Sequence, residues 1–224
     1  MRIVPRASMF LLVLTALGGC TEQAGNSTST PAAAATPPSG ADPGAAKATA
    51  LAATAAPAFA ETAPGIAINA VPGMTLRHDF KRTYLTSDGW AVFAPPDTAG
   101  TPLVALVLDG SNEVTAAELR LGRNDASAAM AACLTPSAEA TGPTRIIDID
   151  GIPFTHFSAG DAAMSHYMSV ESYRAVQHDR CYAIDLLVTG TRPEVYDPPR
   201  TPPFSTEEAK QRLAEALKAV RWVE

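Results

Sequence analysis

Along this chain the apolar and polar positions fall into three stretches of different pattern. Met9 to Leu17 (MFLLVLTAL) is apolar almost throughout. Thr21 to Pro64 is the reverse, with Leu51 and Phe59 nearly its only large apolar side chains. From Gly65 onward short apolar runs alternate with turn residues, the pattern of one domain of roughly 160 residues around a single core.

Within that domain the runs predict individual elements. Trp90 to Phe93 (WAVF), between the turn Ser87-Asp88-Gly89 and Pro95-Pro96, predicts a strand, as do Pro102 to Leu108 and Ala117 to Leu121. Asp125 to Leu134 (DASAAMAACL) predicts a helix capped by Asn124 or Asp125, whose short side chains accept from the free amides of a first turn. Ile146–Ile149 and Ile152–Phe157 flank Asp150-Gly151, the strongest hairpin signal in the chain. Ser169–Gln177 and Cys181–Thr189 form a second strand pair around His178-Asp179-Arg180. Ser205-Thr206-Glu207-Glu208 is a capping box, after which Ala209, Leu213, Leu217 and Val220 line one helical face; Arg221-Trp222-Val223 predicts a last short strand. The expected class is α+β: a single domain over 65–224, an antiparallel sheet with packed helices.

The first stretch changes where this domain is expected to reside. Arg2 and Arg6 precede an apolar run of about nine residues, far short of the roughly 20 that cross a bilayer as a helix. The run ends in Leu17-Gly18-Gly19-Cys20, which resembles the lipobox of bacterial lipoproteins. That resemblance implies a signal peptide over 1–19, cleavage before Cys20, and acylation of its thiol. Two or more acyl chains anchor a protein stably, so the implied partner is a lipid bilayer. Thr21 stands where an aspartate would imply inner-membrane retention, and the family's sorting rule then implies the outer membrane, with the domain facing the periplasm.

Residues 20–64, rich in Ala, Thr, Ser, Pro and Gly, bury too little to offset their conformational entropy and are expected to form a disordered tether. A coil of about 44 residues spans roughly 35–40 Å. The formal charge is −6 and becomes more negative once Arg2 and Arg6 are removed; with lysines and arginines scattered, nucleic acid is not an expected partner.

The segments GWAVFAPPD and AELRLG, with the closing helix and short strand, look like the PsbP-like α/β/α sandwich superfamily over Thr83 to Glu224. The resemblance implies an accessory or assembly-assisting role, and the fold by itself transfers no mechanism.

Of three cysteines, Cys133 and Cys181 remain once Cys20 is acylated. In an oxidising compartment a Cys133–Cys181 disulfide is expected, stabilising by about 4 kcal/mol on the chain-entropy argument. Neither belongs to a C-x-x-C pair, and a redox or metal role is the alternative.

Catalytic chemistry leaves little trace. His156, His166 and His178 lie near Asp161, Glu171 and Asp179, yet no H-x-H, H-E-x-x-H or calcium loop occurs, so no metal is expected. Ser158 and the adjacent Ser165-His166 lack a G-x-S-x-G setting, and Asp148 and Asp150 share a strand face as a carboxylate pair. No phosphate-cradling glycine motif points to a cofactor. The proline-rich Pro193 to Phe204 displays Tyr196, Arg200 and Phe204, types enriched at interface hot spots, and is the candidate partner-binding surface; the alternative is a rigid connector packing Tyr196 and Phe204 onto the domain edge. Two expectations follow. One is a non-catalytic envelope lipoprotein binding a protein partner or small ligand. The other is a periplasmic hydrolase or modifying enzyme centred on Ser165-His166.

Overall fold

Three successive hairpins, each closed by two residues in the left-handed region, generate most of the sheet. The computed structural model describes residues 56–94 and 98–224. The expected leader, the expected lipidation site at Cys20 and most of the expected tether lie outside the described residues.

In chain order the elements are β1 (Phe59–Ala60), β2 (Gly65–Ile68), β3 (Met74–Arg77), β4 (Thr101–Leu108), β5 (Thr115–Asn124), α1 (Ser127–Ala132) and β6 (Ala140–Ile149). Then come β7 (Ile152–Ala163), β8 (His166–Gln177), β9 (Arg180–Thr191), a 3-10 turn (Pro193–Val195), α2 (Thr206–Leu217) and β10 (Val220–Val223). Seven strands form one antiparallel sheet in the order β3-β4-β5-β9-β8-β7-β6, and β1-β2-β10 form a second. The protein is therefore richer in sheet than an α+β domain with packed helices, since α1 has only 6 residues and α2 has 12.

The hairpin turns explain the regular register. Asp150 and Gly151 (φ 53° and 83°), Met164 and Ser165 (49° and 69°), and His178 and Asp179 (49° and 56°) each place two residues at positive φ. Such turns match the right-handed twist of the flanking strands. Only the first was announced by a glycine.

Alternation along β5, β8 and β9 divides the sheet into two faces. On one, Leu119, Leu121, Ile184 and Leu186 pack with Val104 and Leu106 against Ala209 and Leu213 of α2 and Ile66 and Ile68 of β2. Ser205 Oγ accepts from Glu208 N at 3.1 Å, so the expected cap is in place. Fully burying Leu213 is worth about 2 kcal/mol.

The other face carries polar residues at positions an apolar core would fill: Glu118, Arg120, Ser172, Arg174 and Asp185. It is covered by the segment Phe80–Phe93 and by α1. Trp90 to Phe93 is buried there but is not a strand: Phe93 has φ 54°, and Val92 N donates to Asp185 Oδ2 at 2.8 Å instead of to a neighbouring strand. The helix after β5 is also shorter than expected. Its N-cap is Ala126, while Asn124 Oδ1 accepts from Ala126 N at 2.9 Å. Cys133 and Cys181 are joined, with Cα atoms 5.7 Å apart, pinning the end of α1 to β9.

Ordered structure begins ahead of Gly65. Phe59 pairs with Ile68 in β1–β2, Glu61 Oε2 accepts from Ile66 N at 3.1 Å, and Glu61 forms an ion pair with Arg123 at 2.9 Å. Arg123 is distant in sequence, so local composition could not reveal its pairing with Glu61.

β6 is the outer edge of the large sheet. Its register with β7 breaks between Thr141 and Arg145, around Gly142-Pro143, and Ile146 and Ile147 are 66% and 37% exposed.

Candidate functional site

Arg120 organises a concavity on the polar face. Only 2% exposed, it lies in β5 with its guanidinium 5.0 Å from the Phe80 ring centroid. It donates to Lys81 O at 2.8 Å and Ser87 O at 2.9 Å, and its Nε donates to Glu118 Oε1 at 2.8 Å. Both ends of the 81–87 loop are thus tied to the sheet by one buried cation whose charge Glu118 neutralises. Inside the loop the Thr83 and Thr86 hydroxyls lie 2.8 Å apart, and Thr83 N donates to Thr86 O at 3.0 Å. This tight turn thrusts Tyr84 outward.

Tyr84 is 61% exposed, and its ring stacks on His166 at 4.5 Å with 17° between planes. His166 is fixed in turn, with Nδ1 lying 3.0 Å from the Thr191 hydroxyl. Nearby, the Tyr167 hydroxyl meets Thr115 Oγ1 at 3.0 Å. Tyr84, His166, Tyr167 and Thr191 line a groove of about 600 Å³, and Arg77, Lys81, Arg82, Glu113 and Glu118 add charged groups to its lining. Arg77 is paired with Asp79 at 2.7 Å and Arg82 with Asp88 at 3.1 Å. Both aspartates are held below the usual carboxylate range, chiefly by hydrogen bonds from those arginines. The groove therefore offers stacking area, hydroxyls and partly neutralised charge. Its size is that of a small-molecule site.

A second cavity, of about 440 Å³, lies beneath α1 and includes Trp90, Ala129, Ser137 and Phe157 in its lining.

The residues expected to carry chemistry are placed elsewhere or are occupied. Ser165 sits in a hairpin turn with its carbonyl accepting from Arg192 N at 2.9 Å. His166 faces a threonine hydroxyl, and among the described residues neither a Ser165–His166 side-chain bond nor a carboxylate orienting His166 is found. Ser158 and His156 do meet a carboxylate, but both bond to the same Glu171 Oε2, at 2.6 and 2.7 Å. A nucleophile needs a base next to it and an acid behind that base, so this order suits no acyl transfer. Asp148 Oδ1 accepts from Gly151 N within its own turn and Asp150 Oδ2 from Trp222 N of β10, so each serves the backbone. His178 stacks on Trp222 at 6.0 Å. Among the described residues no three His, Cys, Asp or Glu side chains converge as a metal set. Tyr173 has the most displaced titration, pushed up to about 12 by burial with Glu171 adding to it, and it belongs to the core beneath β7–β9.

Tyr196, Arg200 and Phe204 do not form one displayed surface. Phe204 is 9% exposed and belongs to the core. The Arg200 guanidinium lies 4.3 Å over the Tyr196 ring and is paired with Glu113. That ion pair links the proline-rich segment to the rim of the groove. Sequence reasoning passed over Tyr84, although Lys81-Arg82-Thr83-Tyr84 placed two cations and an aromatic residue together just before a turn.

No family model matches the chain, and no curated protein matches its sequence.

Proposed function

We propose that this chain is a lipid-anchored envelope protein whose folded domain binds a small polar ligand or a segment of a protein partner in the Tyr84–His166 groove, with no chemistry of its own. The observation that carries the binding reading is the stack itself. A tyrosine 61% exposed is held in one orientation by a histidine that is itself hydrogen bonded. Ordering an exposed aromatic before binding lowers the entropy lost when an occupant stacks on it. The Arg200–Glu113 pair extends the groove toward Tyr196, which is half-buried beneath the Arg200 guanidinium.

The anchor rests on the leader and Cys20. Among the described residues no helix is long and apolar enough to cross a membrane. The resemblance of GWAVFAPPD and AELRLG to PsbP-like sandwiches supports an accessory rather than catalytic role. Attachment at the outer membrane, facing the periplasm, follows from Thr21 after the lipidated position.

Two experiments test the two halves. Mass spectrometry of protein extracted from membranes should find acyl chains on Cys20, and Cys20→Ser should move the chain to the soluble fraction; a bare thiol refutes the anchor. A photocrosslinking residue at position 84 should yield a defined adduct in intact cells, while the same residue at position 146 on the sheet edge should not. Equal adducts, or none from position 84, refute the groove.

A further inference from the structure

Resting on the reading of the Tyr84–His166 groove as a binding site, we propose that its occupant is a small monocarboxylate carrying a flat ring. Thr189 lines the groove and is only 8% exposed. Its hydroxyl makes no hydrogen bond among the described residues, yet it is not sealed from solvent. Thr191 stands two residues further along β9, so both threonines project from the same face. The Thr191 hydroxyl lies 3.0 Å from His166 Nδ1, and in the tautomer in which Thr191 donates, an Nε2–H is left free for the groove. Thr189 and His166 are thus two reachable groups that can donate to an acceptor.

Charge selects the acceptor. Arg77 and Arg82 are taken by Asp79 and Asp88, Glu118 by Arg120, and Glu113 by Arg200. Of the charged groups in the lining, Lys81 alone has no ion pair among the described residues, Asp79 being held by Arg77. With these partners counted, five cations face four carboxylates, in a chain whose formal charge is −6. One surplus positive charge matches a single carboxylate. A dianion exceeds it, and a neutral polyol leaves it unused.

Tyr84 decides what the carboxylate carries. One face of its ring rests on His166, and the residue is 61% exposed, so the other face is open. A flat ring laid there continues the stack, and aromatic pairs gain more than the area they bury. The backbone that carries Lys81 and Tyr84 is set beforehand, because Arg120 donates to Lys81 O and Ser87 O on either side of Tyr84.

The test is calorimetry on the full chain with 3-phenylpropanoate as the probe. The acid should bind saturably, and its neutral analogue 3-phenylpropanamide about tenfold more weakly. 3-Cyclohexylpropanoate keeps the charge and loses the flat ring, and should bind about threefold more weakly. Lys81→Met, at an exposed position, should erase the preference for acid over amide, and Lys81→Arg should keep it. Thr189→Val keeps the shape and drops the hydroxyl, and should weaken the acid about fivefold, the loss of one hydrogen bond. The proposal is overturned by no saturable binding, by equal affinity for the amide or the cyclohexyl acid, or by an unchanged preference in Lys81→Met. Tighter binding of the peptide acetyl-Gly-Gly-Phe than of the acid overturns it too, since the occupant is then a chain end. If the photocrosslinking residue at position 84 still gives its adduct, the carboxylate assignment alone falls; if it gives none, the groove reading falls with it.

Discussion

Arg174 Nη1 and Asp185 Oδ1 lie 2.8 Å apart, joining β8 to β9 on the polar face, with side chains 7% and 1% exposed. Asp185 also accepts from Ser172 Oγ at 2.7 Å and from Val92 N at 2.8 Å, while Arg174 donates to Val92 O. The pair thus fastens Trp90–Phe93 to the sheet as a strand partner would, by using both backbone groups of Val92. Removing the carboxylate alone leaves a buried guanidinium and an unpaired N–H. Asp185→Ala should therefore cost about 3–5 kcal/mol in urea unfolding. Replacing Arg174 and Asp185 together by apolar residues should cost much less, and equal costs would show that the pair is not the cause.

Opening the Cys133–Cys181 bond should lower stability by about 4 kcal/mol, because the two residues are 48 apart and the closed loop is correspondingly long. A helix of 6 residues cannot hold its own conformation, so α1 should melt with the bond. Urea titration of the Cys133→Ala/Cys181→Ala chain measures the first effect, and loss of amide-exchange protection over residues 127–132 the second.

Gly122→Ala should be among the most damaging single substitutions. The added Cβ would lie 1.8 Å from Trp90 O and 2.7 Å from Trp90 C, both backbone atoms, so no side-chain rotation relieves the overlap. The Trp90 segment must lift, and emission from Trp90 in the Trp222→Phe background should shift to the red of its parent.

The proline-rich segment separates into core and surface. Phe204→Ala should cost about 3–5 kcal/mol as a cavity-forming change. Arg200→Ala, at an exposed pair with Glu113, should cost under about 1 kcal/mol. A triple substitution of Tyr196, Arg200 and Phe204 would confuse the two effects, so Arg200→Ala with Tyr196→Ala is the appropriate surface variant.

Alkaline pH should weaken the fold through Tyr173. Burial raises its pKa from an ordinary value near 10 to about 12, so the folded chain holds this proton more tightly than the unfolded one. The stabilisation is fully present below pH 10 and is lost as pH rises toward 12. Unfolding midpoints measured across that window should fall for the parent and fall less steeply for Tyr173→Phe.

Where one residue's neighbours decide its state, the sequence was readable. Asp150-Gly151 announced its hairpin, Ser205 and Glu208 announced α2, and the apolar run after Pro102 announced β4. Trp90–Phe93 misled because its apolar density reports burial, and burial here comes from lying across a sheet rather than within one. Met164-Ser165 gave no turn signal, since neither residue favours positive φ and only the flanking strands impose it. The Tyr84 groove was hidden for a further reason. It needs Arg120 on β5 to grip a loop more than thirty residues upstream, and no local pattern encodes that grip.

The break at Gly142-Pro143 reaches beyond the single molecule. An outermost strand with free amides is a template on which other copies stack into fibres, and a proline with a bulge denies them a continuous row. Arg145 and Asp148 flank the two isoleucines still on show, so any chain that docks there must also dehydrate charge. At high local concentration, the protein carries its own guard against polymerising.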